Sequence, residues 1–231
     1  MTTIATESTR FGNVVKSEYD PASGFCRDNI TFNGTATTLQ VGTVLGSYLA
    51  SPTATAGTTV GTGNGTMGSI TMSASLGLQI GTYTLKITKT VSNAGDFVLL
   101  DPQGQAIGIG QVGTAFSQAG FAFTLADGST DFVVGDYIPI TVTGTKKYKI
   151  VEASATDGSQ VAAAIYIADA LGLSQSSATT LNTDLVVLAI TKGPAIVNKS
   201  QLTFGASVTG TALTAAYAQL DALGIRVATQ A

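Results

Sequence analysis

The chain has 231 residues, only 11% of them charged, a formal net charge of −3, no His, no Trp and a single Cys. Ordinary domains carry about 25% Asp, Glu, Lys and Arg, so this surface is built from hydroxyls, amides and bare backbone, poor in groups that move protons. The missing His excludes Ser/His/Asp and Cys/His catalysis, the lone Cys26 excludes an intrachain disulfide or a cysteine-rich metal site, and the want of a strongly basic run excludes phosphate-driven nucleic-acid binding.

Residues 1–28 are polar and small, with isolated Phe11, Val14, Val15, Tyr19 and Phe25. They read as a flexible N-terminal arm, extended or disordered when free. With period two, Phe11, Asn13, Val15, Ser17 and Tyr19 share one face, a faint strand signal. Residues 1–10 hold no apolar run of the kind a secretory signal needs, and one Cys fits folding in a reducing compartment. Strands follow at 38–45 and 47–50, broken near Gly42 and Gly46. The Gly, Thr and Ser of 51–65 read as a linker.

From 66 to 144 the pattern becomes short alternating runs: 66–73, 82–89, 96–100, 105–109, 121–125 and 132–142. In the second, Tyr83, Leu85 and Ile87 point one way while Thr82, Thr84, Lys86 and Thr88 point the other. Turn chemistry at Asn93, Asp101-Pro102, Asp127-Gly128 and Gly135-Asp136 separates them. Six or seven strands over this length predict a small antiparallel β-sandwich, with Pro139 at an edge or a bulge.

After Lys146, residues 148–153 read as a strand. A helix is predicted over 159–171, with Val161, Ala164, Ile165, Ala168 and Leu171 in one stripe, Asp157 as N-cap and Gly172 as C-cap. Apolar strands at 185–191 and 195–198 flank Lys192-Gly193-Pro194. A second helix, 211–223, carries Leu213, Ala216, Tyr217, Leu220 and Leu223 on one face and closes at Gly224. No apolar stretch is long enough to span a membrane. The predicted fold is mainly β with two short helices, plus an inserted antiparallel β-sandwich. Residues 29–57 and 147–231 form one discontinuous domain, interrupted by the sandwich at 58–146.

The motifs favour structure over chemistry. Gly63, Gly65, Gly68 and Gly108, Gly110, Gly113 match G-x-G-x-x-G, but neither match opens an amphipathic helix as a dinucleotide site requires. No P-loop is present. Asp127, Asp131 and Asp136 could hold a Ca²⁺ but fit no EF-hand spacing, and read better as solvated turn carboxylates. Lys146, Lys147 and Lys149 read as a solvated strand end. Four Asn-x-Ser/Thr matches carry no weight without a secretory signal. Most aromatic side chains of 66–144 fall at inward-reading positions, which weakens a lectin reading. The small Ala162, Ala163 and Ala164 would allow close helix approach at a subunit interface. No catalytic, metal or cofactor site is predicted.

The tail carries a specific likeness. EASATDGSQVAAAIYIADAL (152–171), LVVLAITKGPAIVNKSQLTFG (185–205) and ALTAAYAQLDALGIRVATQA (212–231), with TLQVGTVLGSYLA (38–50) upstream, resemble the lambda-type phage head decoration proteins. The middle segment departs from the compact members and looks like a β module inserted in phage structural proteins. The resemblance implies a non-enzymatic homotrimer on local threefold sites of the capsid's outer surface, made in the host cytoplasm. Its partner would be the major capsid protein, with neither nucleic acid nor membrane involved. It also implies an N-terminal arm that adds a strand to the capsid protein, with Phe11, Val14, Val15, Tyr19 and Phe25 as anchors, and an insert that projects outward. On this reading, removing 1–25 leaves folded trimers unable to bind capsids, and the module is dispensable for binding. The competing readings are an adhesin that binds host glycan or protein through the sandwich, and a His-free hydrolase.

Overall fold

A computed structural model of the protein describes residues 10–34, 37–169, 179–181 and 184–229. The chain divides into two compact units, Met1–Tyr48 with Lys146–Ala231, and Leu49–Thr145. It opens with one helical turn, α1 (Phe11–Val14), then β1 (Val15–Glu18), β2 (Arg27–Phe32), β3 (Thr37–Leu39) and β4 (Val44–Ala56). β4 carries the chain into the second unit, which adds β5 (Thr66–Met67), β6 (Thr71–Met72), β7 (Gly81–Val91), β8 (Ala94–Leu100) and β9 (Ala106–Gln111). There follow β10 (Ala115–Gln118), β11 (Phe121–Ala126) and β12 (Tyr137–Ile150), and β12 returns the chain to the first unit. That unit ends with β13 (Ala162–Asp169), β14 (Thr179–Leu181), β15 (Leu185–Ile190), β16 (Ala195–Asn198), α2 (Gly210–Ala222) and β17 (Ile225–Ala228).

In the first unit one sheet runs β2-β15-β13-β4, and a second runs β1-β16-β17. β3 and β14 form a separate antiparallel ribbon. Of the helix predicted over 159–171, residues 159–169 do not form it. Within them Ala162–Asp169 are β13, antiparallel to β15 on one side and β4 on the other. Ala162, Ala164, Ile165, Tyr166, Ile167 and Ala168 are all buried. A strand covered on both faces loses the period-two alternation and reads as a continuous apolar run, which mimics a small-residue helix. Gly172 and the end of the proposed stripe lie outside the described residues. Ala162 and Ala164 are buried within the unit, where α2 packs against β13 and Gln219 Oε1 accepts the N–H of Ala162 at 2.8 Å.

Asp157 does act as a local cap, though not of a helix. Its Oδ1 accepts the backbone N–H and the hydroxyl of Ser159, at 3.1 and 2.7 Å, and Lys149 stands 2.7 Å from Oδ2. Burial pushes this carboxyl up, but Lys149 and Ser159 outweigh it and hold it below the ordinary carboxylate range. The chain then leaves the turn extended. The second predicted helix is present as α2, with Ala216 and Leu220 buried. Gly224, at φ +77°, ends it in the left-handed region, its N–H donating to the carbonyl of Asp221 at 2.8 Å. Leu223 falls off the buried stripe and is exposed. Among the described residues no helix is long and apolar enough to cross a membrane.

The second unit is a sandwich. Its larger sheet runs β4-β12-β7-β8-β9, and β11 pairs with β10, β5 and β6 in the facing layer. Tyr83, Leu85, Ile87, Phe97, Phe116, Phe121, Phe123 and Phe132 fill the space between them. Phe116 and Phe123 stack with centroids 4.8 Å apart. The stretch 51–65 is only partly a linker, because β4 extends to Ala56. Pro139 sits on an interior strand, opposite Thr84 of β7. Its other side faces the point where β4 has ended, and its carbonyl accepts the N–H of Gly57 at 2.7 Å, so the donor that proline lacks is not needed there.

Both glycine motifs are sites of close ring packing. A Cβ on Gly63 or Gly65 would meet the Phe132 ring at 2.6 or 2.4 Å. On Gly108 it would meet Phe116 at 2.7 Å, and on Gly110 it would meet Phe97 at 2.4 Å.

Candidate functional site

The candidate anchor residues are not equivalent in space. Within the predicted arm, residues 1–9 lie outside the described residues, while 10–28 belong to the first unit as α1, β1, a turn and the start of β2. Val14 and Val15 are 0% and 8% exposed and belong to that unit's core. β1 pairs antiparallel with β16, Val15 opposite Val197 and Glu18 opposite Ala195. Phe11 is half-buried against the same core, with the Arg27 guanidinium 4.8 Å above its ring. These three side chains hold the segment to the body of the protein. The short apolar spacing that resembled a free arm is the inward face of a one-turn helix and an edge strand.

Tyr19 and Phe25 do the opposite. They are 61% and 46% exposed and meet edge to face, with centroids 5.5 Å apart. Lys192 lies 5.3 Å over the Phe25 ring, an arrangement a cation favours. The turn that carries them is fastened at several points. The N–H of Tyr19 donates to the carbonyl of Pro194 at 3.0 Å, and that of Ser23 to the carbonyl of Asp20 at 3.2 Å. Cys26 is buried beneath, its Sγ 3.4 Å from the carbonyl oxygen of Pro194. Arg27 forms a two-point pair with Glu18, Nε to Oε2 at 2.9 Å and Nη2 to Oε1. That hydrogen-bonded pair raises the Arg27 pKa above its ordinary value.

The result is a small aromatic surface with one cation, presented by a pinned turn. Lys192, Arg27 and Pro194 were not among the anchors drawn from sequence. The only signal for Lys192 was its place in the Lys-Gly-Pro turn, which does not say what it faces.

Among the described residues the predicted turn carboxylates are not a solvated set: Asp136 is buried, and both carboxylate oxygens of Asp127 are buried without a hydrogen-bond partner. Asp131 Oδ1 accepts the N–H of Asn93 at 2.9 Å. Asp136 accepts those of Thr62, Gly63 and Val133 at 3.0, 2.8 and 2.9 Å. Glu152 holds another loop, accepting the N–H groups of Ala206 and Ser207 at 3.1 and 3.0 Å and the Ser207 hydroxyl. For Glu152, burial raises the pKa, but these bonds outweigh it and leave it lowered. Among the described residues no group of three or more His, Cys, Asp or Glu is placed to hold a metal ion.

Solved structures similar to the chain include two crystal structures of Xanthomonas campestris FlgL, in space groups H3 and C2, at 22% and 23% identity with a TM-score of 0.31 each. Each match covers 46% of this chain and 33% of the FlgL chain, so the protein spans about a third of the FlgL length, and the likeness is too loose to carry an inference. No curated protein matches the chain. The family model described as bacteriophage lambda head decoration protein D matches residues 4–225, nearly the whole sequence. The chain therefore belongs to the bacteriophage lambda head decoration family, whose members are non-catalytic structural proteins of the phage virion.

Proposed function

We propose that the protein is a capsid cement, a homotrimer seated on local threefold positions of the outer shell, with its second unit projecting outward. Residues ahead of Arg10 add a strand to the major capsid protein, and Tyr19 and Phe25 anchor the body beside it. The exposed aromatic pair on its fastened turn is the observation that supports this reading most. Ordering a free arm costs about 1–2 kcal/mol per residue, while each hydrogen bond returns only about 0.5–1.5 net. A pre-folded turn avoids most of that cost, and each aromatic anchor contributes about 1.5–3 kcal/mol if fully buried. Three such sites on one trimer multiply avidity.

Removal of residues 1–25 is no longer a clean test, because it strips Val14 and Val15 from the core and β1 from its sheet. The informative variants are a deletion of 1–9 and the double substitution Tyr19→Ser with Phe25→Ser. Both should keep the trimer mass in solution yet weaken capsid binding by about tenfold or more, from the loss of at least 1.4 kcal/mol. A monomeric mass, or capsid affinity unchanged in both variants, overturns the proposal.

A further inference from the structure

The outer face of the second unit's larger sheet carries an open depression of about 570 Å³. On β7, alternation buries Tyr83, Leu85 and Ile87 and turns Thr82, Thr84 and Lys86 outward. Across the sheet, Lys86 stands opposite Tyr137 of β12, and Thr84 opposite Leu100 of β8. The turn after β8 forms the remaining wall with Pro102. It is held rigid by Asp101, whose Oδ1 accepts the N–H groups of Gln103 and Gln105 at 3.0 and 2.7 Å. Tyr137 is 39% exposed. Lys86 is exposed and makes no ion pair among the described residues.

We propose that this depression binds a short saccharide carrying a carboxylate. The apolar C–H face of a sugar ring would lie on Tyr137, Leu100 and Pro102. Its hydroxyls would meet Thr82 and Thr84, whose own hydroxyls both donate and accept. The carboxylate would pair with the Lys86 ammonium; Asp101 also lines the site, but its Oδ1 is already taken up by the N–H groups of Gln103 and Gln105. The volume falls in the range of about 300–1,000 Å³ typical of small-ligand sites. The lining stands largely on paired strands and a fastened turn, which keeps it pre-organised. This site is independent of capsid binding by the first unit.

The test is an NMR titration of the isotope-labelled full chain with oligosaccharides of galacturonate, glucuronate and N-acetylneuraminate, and with uncharged maltotriose. At least one acidic sugar should move the amides of Thr82, Thr84, Lys86 and Tyr137 saturably, binding about fivefold or more tighter than maltotriose. Lys86→Gln should erase that preference. Tyr137→Ala should weaken binding about tenfold while Tyr137→Phe retains it. No saturable shift with any acidic sugar up to about 10 mM overturns the proposal, being weaker than an affinity of about −3 kcal/mol. So do shifts that follow protein concentration alone, which would mark the face as a contact between copies.

Discussion

Asp136 illustrates how this chain spends its few charges. The side chain is almost wholly buried, and its carboxylate gathers three backbone N–H groups from two segments far apart in sequence. Burial pushes its pKa up, but the N–H donors of Val133, Gly63 and Thr62 outweigh that and hold it below the ordinary range. The folded carboxyl thus titrates below its unfolded value of about 3.9. Its stabilisation is complete above that value and is lost as pH falls through the folded pKa. Asp136→Asn puts an amide where three donors converge and should destabilise the second unit by about 2–4 kcal/mol at neutral pH. Denaturant unfolding at pH 7 and near pH 3 checks this, since the gap between wild type and variant should narrow in acid. A gap independent of pH would mean the charge is not what holds the loops.

The hairpin between β10 and β11 shows strain at a single element. Gln118 pairs with Phe121, leaving a two-residue turn of Ala119 and Gly120, both at positive φ, +51° and +85°. Such a turn favours Asn or Gly first, because a Cβ in that region costs about 1 kcal/mol for Ala. Ala119→Asn should raise the melting temperature of the second unit by about 2–4 °C; an unchanged or lower transition would show that the turn stores no such strain. This hairpin also marks the limit of what sequence could reveal. β7 was readable because one face is buried and the other wet, so Tyr83, Leu85 and Ile87 alternate cleanly with Thr and Lys. β10 and β17 are too short to show a period, and β13 hides its period by being covered twice. The candidate anchors could not be told apart in the sequence for a related reason. Val14, Val15, Tyr19 and Phe25 are alike as isolated apolar residues in a polar stretch. Only pairing with β16, a contact some 180 residues away, separates the core pair from the exposed pair. Phe132, the ring that crowds Gly63 and Gly65, lies far along the chain from them, so no local pattern explains that glycine motif.

At the scale of the whole molecule, the second unit begins and ends at one place. A Cβ on Gly144 would stand 2.8 Å from Leu49 Cγ, and the hydroxyls of Thr53 and Thr143 are 2.8 Å apart. Insertions are tolerated where chain ends lie close together. Replacing 49–145 with a loop of about two to four residues should therefore leave a first unit that folds on its own. A cooperative thermal transition in the shortened chain checks this, and aggregation or a featureless melt would show that the two units fold only together. The same adjacency gives the first unit a socket. Any foreign domain whose termini sit one strand spacing apart, about 5 Å, could be plugged between Tyr48 and Lys146 and carried as cargo on every copy.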